Sequence, residues 1–202
     1  MPTADLIAQA RDALPPDLYR QPAYLIVRPV FSIGRAYRVY APDGRLAMFV
    51  RHPIFTLRQR YILFADEEES IPLIEVRQRR IIGWNLCHDV LDAVTGTRLG
   101  SVRTRGISSL WRDTWDILDA DDRVCGLMRE DSISILRRIF SFWPGRHHLE
   151  LGGVTVARLT QIFRWIRKEF TLEILERPDP VDARFAVACA LLAVMADVRR
   201  ES

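Results

Sequence analysis

The stretch from Phe185 to Ala196 constrains this chain more than any other, because every residue in it is apolar. Asp179, Pro180 and Asp182 just before it read as a helix start, with an N-cap, a proline at the first helical position and an acid in the first turn. On a helical wheel Phe185, Val187, Cys189, Leu191, Leu192, Val194 and Met195 spread around most of the circumference. Only Ala186, Ala190 and Ala193 make a small-residue side. A helix apolar all round has to be buried all round. The run is shorter than the ~20 residues that a membrane span needs, and Arg184 and Asp197 bracket it. The expectation is a helix over about 180–199 inside a protein core, with a membrane span as the rival.

A helix of that kind needs a wall on every side, and the preceding sequence reads as strands from residue 23 to about residue 176. Val30-Phe31-Ser32-Ile33-Gly34-Arg35-Ala36-Tyr37-Arg38-Val39-Tyr40 is echoed 24 positions later by Ile54-Phe55-Thr56-Leu57-Arg58-Gln59-Arg60-Tyr61-Ile62-Leu63-Phe64. Turn centres at Gly44, Glu68, Gly96, Asp122 and Gly153 are spaced by 24, 28, 26 and 31 residues, which gives five hairpins and ten strands. Two further runs, Ala23–Phe31 and Phe170–Leu175, flank them, the second with Phe170, Leu172 and Ile174 in alternation. A flat sheet of about twelve strands is unusual. A closed barrel of that size has room for a helix ~10–12 Å across. Twelve strands and one all-round apolar helix therefore fit each other. Ahead of them Leu6, Ile7, Ala10 and Leu14 mark a short amphipathic helix within residues 3–14, stopped by Pro15-Pro16. The chain divides into a lead-in over residues 1–22 and one mainly β domain over 23–202.

Four sets of residues carry a family resemblance by their order along the chain. They are Val30-Phe31-Ser32-Ile33 with Tyr37-Arg38-Val39-Tyr40 and Asp43-Gly44; Leu91-Asp92 with Gly96 and Leu99-Gly100; Ile117-Leu118-Asp119 with Gly126; and Asp182-Ala183-Arg184-Phe185-Ala186-Val187-Ala188. Together, over roughly residues 23–198, the chain resembles the LURP-one-related and phospholipid-scramblase group of the Tubby C-terminal-like superfamily. The resemblance implies a twelve-stranded barrel around a central C-terminal helix, and a domain that meets phospholipid. The proline-rich and cysteine-rich segments that precede the barrel in eukaryotic scramblases have no counterpart here, and neither does their calcium-binding segment.

Catalytic chemistry finds little support. His52, His88, His147 and His148 come without a local nucleophile motif, and His147 and His148, adjacent in a strand, should point to opposite faces, one packed and one solvated. Asp119, Asp121 and Asp122 lack the glycine and distal glutamate of a calcium loop, and Asp66–Glu69 sits at a hairpin tip; both read as solvated turns. Glycine-rich phosphate cradles are absent. Cys87, Cys125 and Cys189 are odd in number and far apart, so they form neither a disulfide framework nor a metal motif. No catalytic residue, metal or cofactor is expected. With a net charge of only +3 and no aromatic platform on a basic face, nucleic acid is not expected either.

What remains is arginine. Lys168 is the sole lysine. Candidate anion contacts are Arg77, Arg79, Arg80, Arg103, Arg105, Arg137 and Arg138, with Arg164-Trp165-Ile166-Arg167-Lys168 as a further basic stretch and Trp143 and Trp165 as headgroup-level anchors. In a strand Arg77 and Arg79 share one face, as do Arg103 and Arg105. The plainer reading is that these cations keep the wall soluble. The expected function is a non-enzymatic peripheral module for anionic phospholipid headgroups; the alternative is a soluble protein-interaction scaffold. A first segment without a basic leader and apolar block points to a cytoplasmic protein, peripheral at the inner face of the membrane in the lipid-binding case.

Overall fold

The computed structural model describes residues 4–29, 35–52, 60–79, 86–104, 114–130, 145–162, 167–175 and 183–200. Among these, twelve strands follow one another around a closed antiparallel barrel in chain order. They are β1 (Ala23–Pro29), β2 (Arg35–Tyr40), β3 (Leu46–His52), β4 (Arg60–Phe64), β5 (Pro72–Arg79), β6 (Cys87–Asp92), β7 (Arg98–Thr104), β8 (Thr114–Leu118), β9 (Val124–Glu130), β10 (Arg146–Leu151), β11 (Val154–Ile162) and β12 (Arg167–Ile174). The first and last strands close the ring, in register from Ala23 opposite Glu173 to Pro29 opposite Arg167. Closure leaves no sheet edge to protect.

The expected turn centres are where the backbone reverses. Gly44, Gly96 and Gly153 have φ of 85°, 71° and 82°, and Asp122 has 65°. In the β4–β5 turn the positive φ falls on Glu69 (59°), one residue past Glu68. Antiparallel order places these five turns at one end of the barrel.

Helix α2 (Ala183–Arg200) fills the barrel. Val187, Ala188, Cys189, Leu191, Ala193 and Val194 are wholly inaccessible, while Leu192 and Met195 are half-buried against the same core. Its apolar surface meets inward-facing Ile26, Val39, Met48, Val76, Val102 and Ile117. Each buried Val, Leu or Phe here contributes about 1.5–3 kcal/mol relative to exposure. The wall gives way where a bulky side chain needs room. A Cβ on Gly100 would lie 2.9 Å from the Phe185 ring and 2.8 Å from the Leu118 carbonyl oxygen. The residues proposed as N-cap and first turn, Asp179 to Asp182, lie outside the described residues. No described helix is long and apolar enough to cross a membrane.

The lead-in docks on the end that carries the turns. Helix α1 (Ala4–Asp12) forms as its periodicity requires. A 3-10 turn follows over Pro16–Tyr19, which the sequence reading did not anticipate; Pro16 suits it because its fixed φ and missing N–H cost nothing at a helix start. Leu18 is buried, and the Tyr24 hydroxyl donates to its carbonyl at 3.1 Å. One carboxylate then fastens three elements. Asp92 accepts a bidentate bond from Arg11, accepts the N–H groups of Val94 and Thr95 at 3.0 Å each, and lies 3.5 Å from Arg184 of α2. Burial alone would raise its pKa, but the Arg11 and backbone bonds outweigh it and hold the carboxyl well below the ordinary range.

Candidate functional site on the barrel wall

The strand period sends Glu75, Arg77 and Arg79 of β5 outward, because Val76 between them is in the core. Arg60 of β4 stands directly opposite Arg77. Like charges in that position repel. The structure answers with Glu75, whose Oε1 accepts from Arg60 Nε at 2.7 Å and from Arg77 Nε at 3.0 Å and lies 2.8 Å from Arg77 Nη2. The carboxylate is 11% exposed, while the two guanidiniums are 60% and 55% exposed. Burial works against ionisation of Glu75, yet the two arginines together lower its pKa below the ordinary value.

Two residues further along β5, Arg79 is held differently. It donates to Asp89 of β6 and to both carboxylate oxygens of Asp122, at 3.0 and 3.1 Å. Asp89 also accepts from the Ser101 hydroxyl at 2.7 Å, and Asp122 accepts from Arg98 at 3.1 Å. Arg103 pairs with the buried Asp116 at 2.9 Å. These residues form two clusters: Arg79 and Arg98 with Asp89 and Asp122 are balanced in charge, whereas Arg60 and Arg77 with Glu75 carry one net positive charge.

Of the arginines expected from sequence, Arg77, Arg79 and Arg103 are thus on the outer wall with carboxylate partners. Arg80, Arg105, Arg137 and Arg138 lie outside the described residues, as do Trp143 and Trp165. The acidic clusters serve the turns: Asp119 Oδ1 accepts the N–H groups of Asp121 and Arg123, and Asp66 Oδ1 those of Ser70 and Ile71. Arg60 was missed, and the register that pairs it with Arg77 is what gives it meaning.

The inner wall changes character away from the five turns. Gln78 and His88 face each other across β5–β6, Glu130 and His147 across β9–β10, and Arg28 and Lys168 across β1–β12. His147 is packed, 5.9 Å from the Trp115 ring, while His148 faces outward and accepts from Arg129 at 2.8 Å. Lys168 is not part of an outer basic stretch; it shares the inner face with Phe170 and Leu172, as the alternation noted for that strand requires. A cavity of about 10 Å³ lies between α2 and this wall, with His147 and Cys189 in its lining. That is room for one water at most. Burial pushes the Cys189 thiol up, opposite to what a nucleophilic thiolate requires.

No family model matches the chain, and no curated protein matches it. A solved structure does. The AT5G01750 protein of Arabidopsis thaliana, known from X-ray crystallography, is similar over 90% of this chain and 94% of its own, with a TM-score of 0.51 and 17% identity. At that identity the likeness speaks for the barrel alone.

Proposed function

We propose that this chain is a non-enzymatic binding domain, a divergent relative of the LURP-one-related and scramblase-like group, that docks anionic phospholipid headgroups through Arg60 and Arg77. The observation that carries it is the pair of exposed guanidiniums sharing one buried carboxylate. Glu75 offsets one charge and fixes both side chains in place, leaving further N–H groups of each fork directed at solvent. A phosphate offers the paired oxygens that suit such forks. Arg79 and Arg103 contribute structure rather than affinity, because an arriving phosphate would have to displace carboxylates that already hold them. The family reading is supported by the succession of twelve strands and a helix inside them. Lipid scrambling is not included, because α2 would have to leave the core to make a path.

The test is co-sedimentation of the detergent-free protein with neutral vesicles and with vesicles carrying phosphatidylserine or phosphoinositide, at low and at physiological salt. Each basic residue near an anionic surface is worth about 1 kcal/mol, and screening over a Debye length of ~8 Å weakens it at physiological salt. Pelleting with anionic vesicles only, reduced by salt, is the expected result. No pelleting at either salt rejects the headgroup reading and moves the search to a protein partner.

A further inference from the structure

Building on the headgroup reading, we infer that Arg60 and Arg77 form one edge of a bilayer-docking face on the outer wall of β2–β6. The face takes the phosphate of a lipid that still carries its acyl chains, rather than a free phosphate. Outward positions of an antiparallel wall in water are ordinarily polar. Here a group of them is not. Tyr61 and Leu63 belong to the core, so Ile62 and Phe64 of β4 point outward, and both are half-buried. Phe64 stands directly opposite Phe49 of β3, which is buried yet lies outside the core cluster. The guanidiniums of Arg38 and Arg51 lie over the Phe49 ring, 5.6 and 5.7 Å from its centroid. Ile62 is in register with Glu75, and Glu75 with Leu91 of β6, which is also half-buried on the outer side. The carboxylate that fixes Arg60 and Arg77 is thus bracketed by two apolar side chains. Ile62 follows Arg60 by two residues on the same face, about 7 Å along the strand, and Phe64 is about as far beyond. A phosphate held by the two arginines therefore has apolar surface beside it, within reach of a glycerol backbone and the first methylenes of its chains. By contrast, the outward positions of β10 are Arg146, His148 and Glu150. Arg38, Arg51, Arg60 and Arg77 against Glu67, Glu69 and Glu75 leave the face one net positive charge, which suits an anionic leaflet.

The test uses the full chain, free of detergent, and vesicles of phosphatidylserine in phosphatidylcholine. Wild-type binding is competed with glycerophosphoserine, the headgroup without chains, and with dihexanoyl-phosphatidylserine below its micelle concentration. The short-chain lipid should displace the protein at a roughly tenfold lower concentration. Ile62→Thr keeps the β-branched shape and should weaken vesicle binding about fivefold with its salt dependence unchanged. Arg60→Ala/Arg77→Ala should weaken binding and flatten the salt dependence. Val154→Thr, at an exposed position on β11 away from this face, should bind as wild type does. Equal competition by the two phosphoserine compounds overturns the bilayer face and leaves the headgroup reading intact. So does wild-type binding by Ile62→Thr, or an equal loss in Val154→Thr. If wild type binds no anionic vesicle, both readings fall together. The competition needs no variant, so it decides the matter even if Ile62→Thr fails to fold.

Discussion

Arg77 and Arg79 leave β5 in the same direction, two residues apart, and end in different situations. Arg79 is met by two aspartates, from β6 and from the β8–β9 turn, and its side chain is 32% exposed. Arg77 shares a single glutamate with a second arginine and is 55% exposed. The difference lies in how many carboxylates the neighbouring strands bring to the same face. One arginine cross-links the wall; the other presents charge. Type and spacing are identical, so the role of each is set by register.

That contrast can be broken at several points. The largest effect is expected at the balanced end. Asp89→Ala removes the carboxylate that Arg79 and Ser101 share, and should cost about 2 kcal/mol of stability, read as a lowered denaturant midpoint with unchanged slope. Arg60→Ala/Arg77→Ala strips the buried Glu75 carboxylate of both its cations and should lower that midpoint too, by about 1–2 kcal/mol. It should also weaken anionic-vesicle binding by about 2 kcal/mol, on the order of thirtyfold. Glu75→Gln acts in the other direction. It keeps the side-chain shape, removes the competing charge, and should tighten vesicle binding by about 1 kcal/mol.

The smallest effect is a pH dependence. Glu75 and Asp89 bind protons less readily in the folded chain than in the unfolded one, their pKa values lying below the ordinary 4.5 and 3.8. Their contribution is therefore complete above those ordinary values and is lost as pH falls through the lower, folded ones. Asp92 adds to the same acid limb. In urea melts between neutral pH and pH 3, Glu75→Gln should flatten the loss slightly and Asp92→Asn more so.

Much of the fold was legible because local chemistry and topology agree. Gly44, Gly96 and Gly153 supply the positive φ that tight turns need, and the apolar run of α2 leaves no exposed face to place in water. The strand alternation held even where it was not followed through. Counting back by two from Phe170 places Lys168 inside, and counting on from Ile26 does the same for Arg28. Other features had no local sign. Arg79 and Asp122 are 43 residues apart, and Arg11 and Asp92 are 81 apart, so neither pair can be read without knowing which strands close the ring. The 3-10 turn at Pro16–Tyr19 was hidden by a proline pair that reads simply as a stop.

The most direct measurement sets Arg77→Ala beside Arg79→Ala, with anionic-vesicle pelleting and urea stability determined for each. Arg77→Ala should lose vesicle binding about fivefold and keep its stability, while Arg79→Ala should keep binding and lose stability. Equal losses of binding in both variants, or a loss confined to Arg79→Ala, would contradict the assignment of the headgroup contact to Arg60 and Arg77.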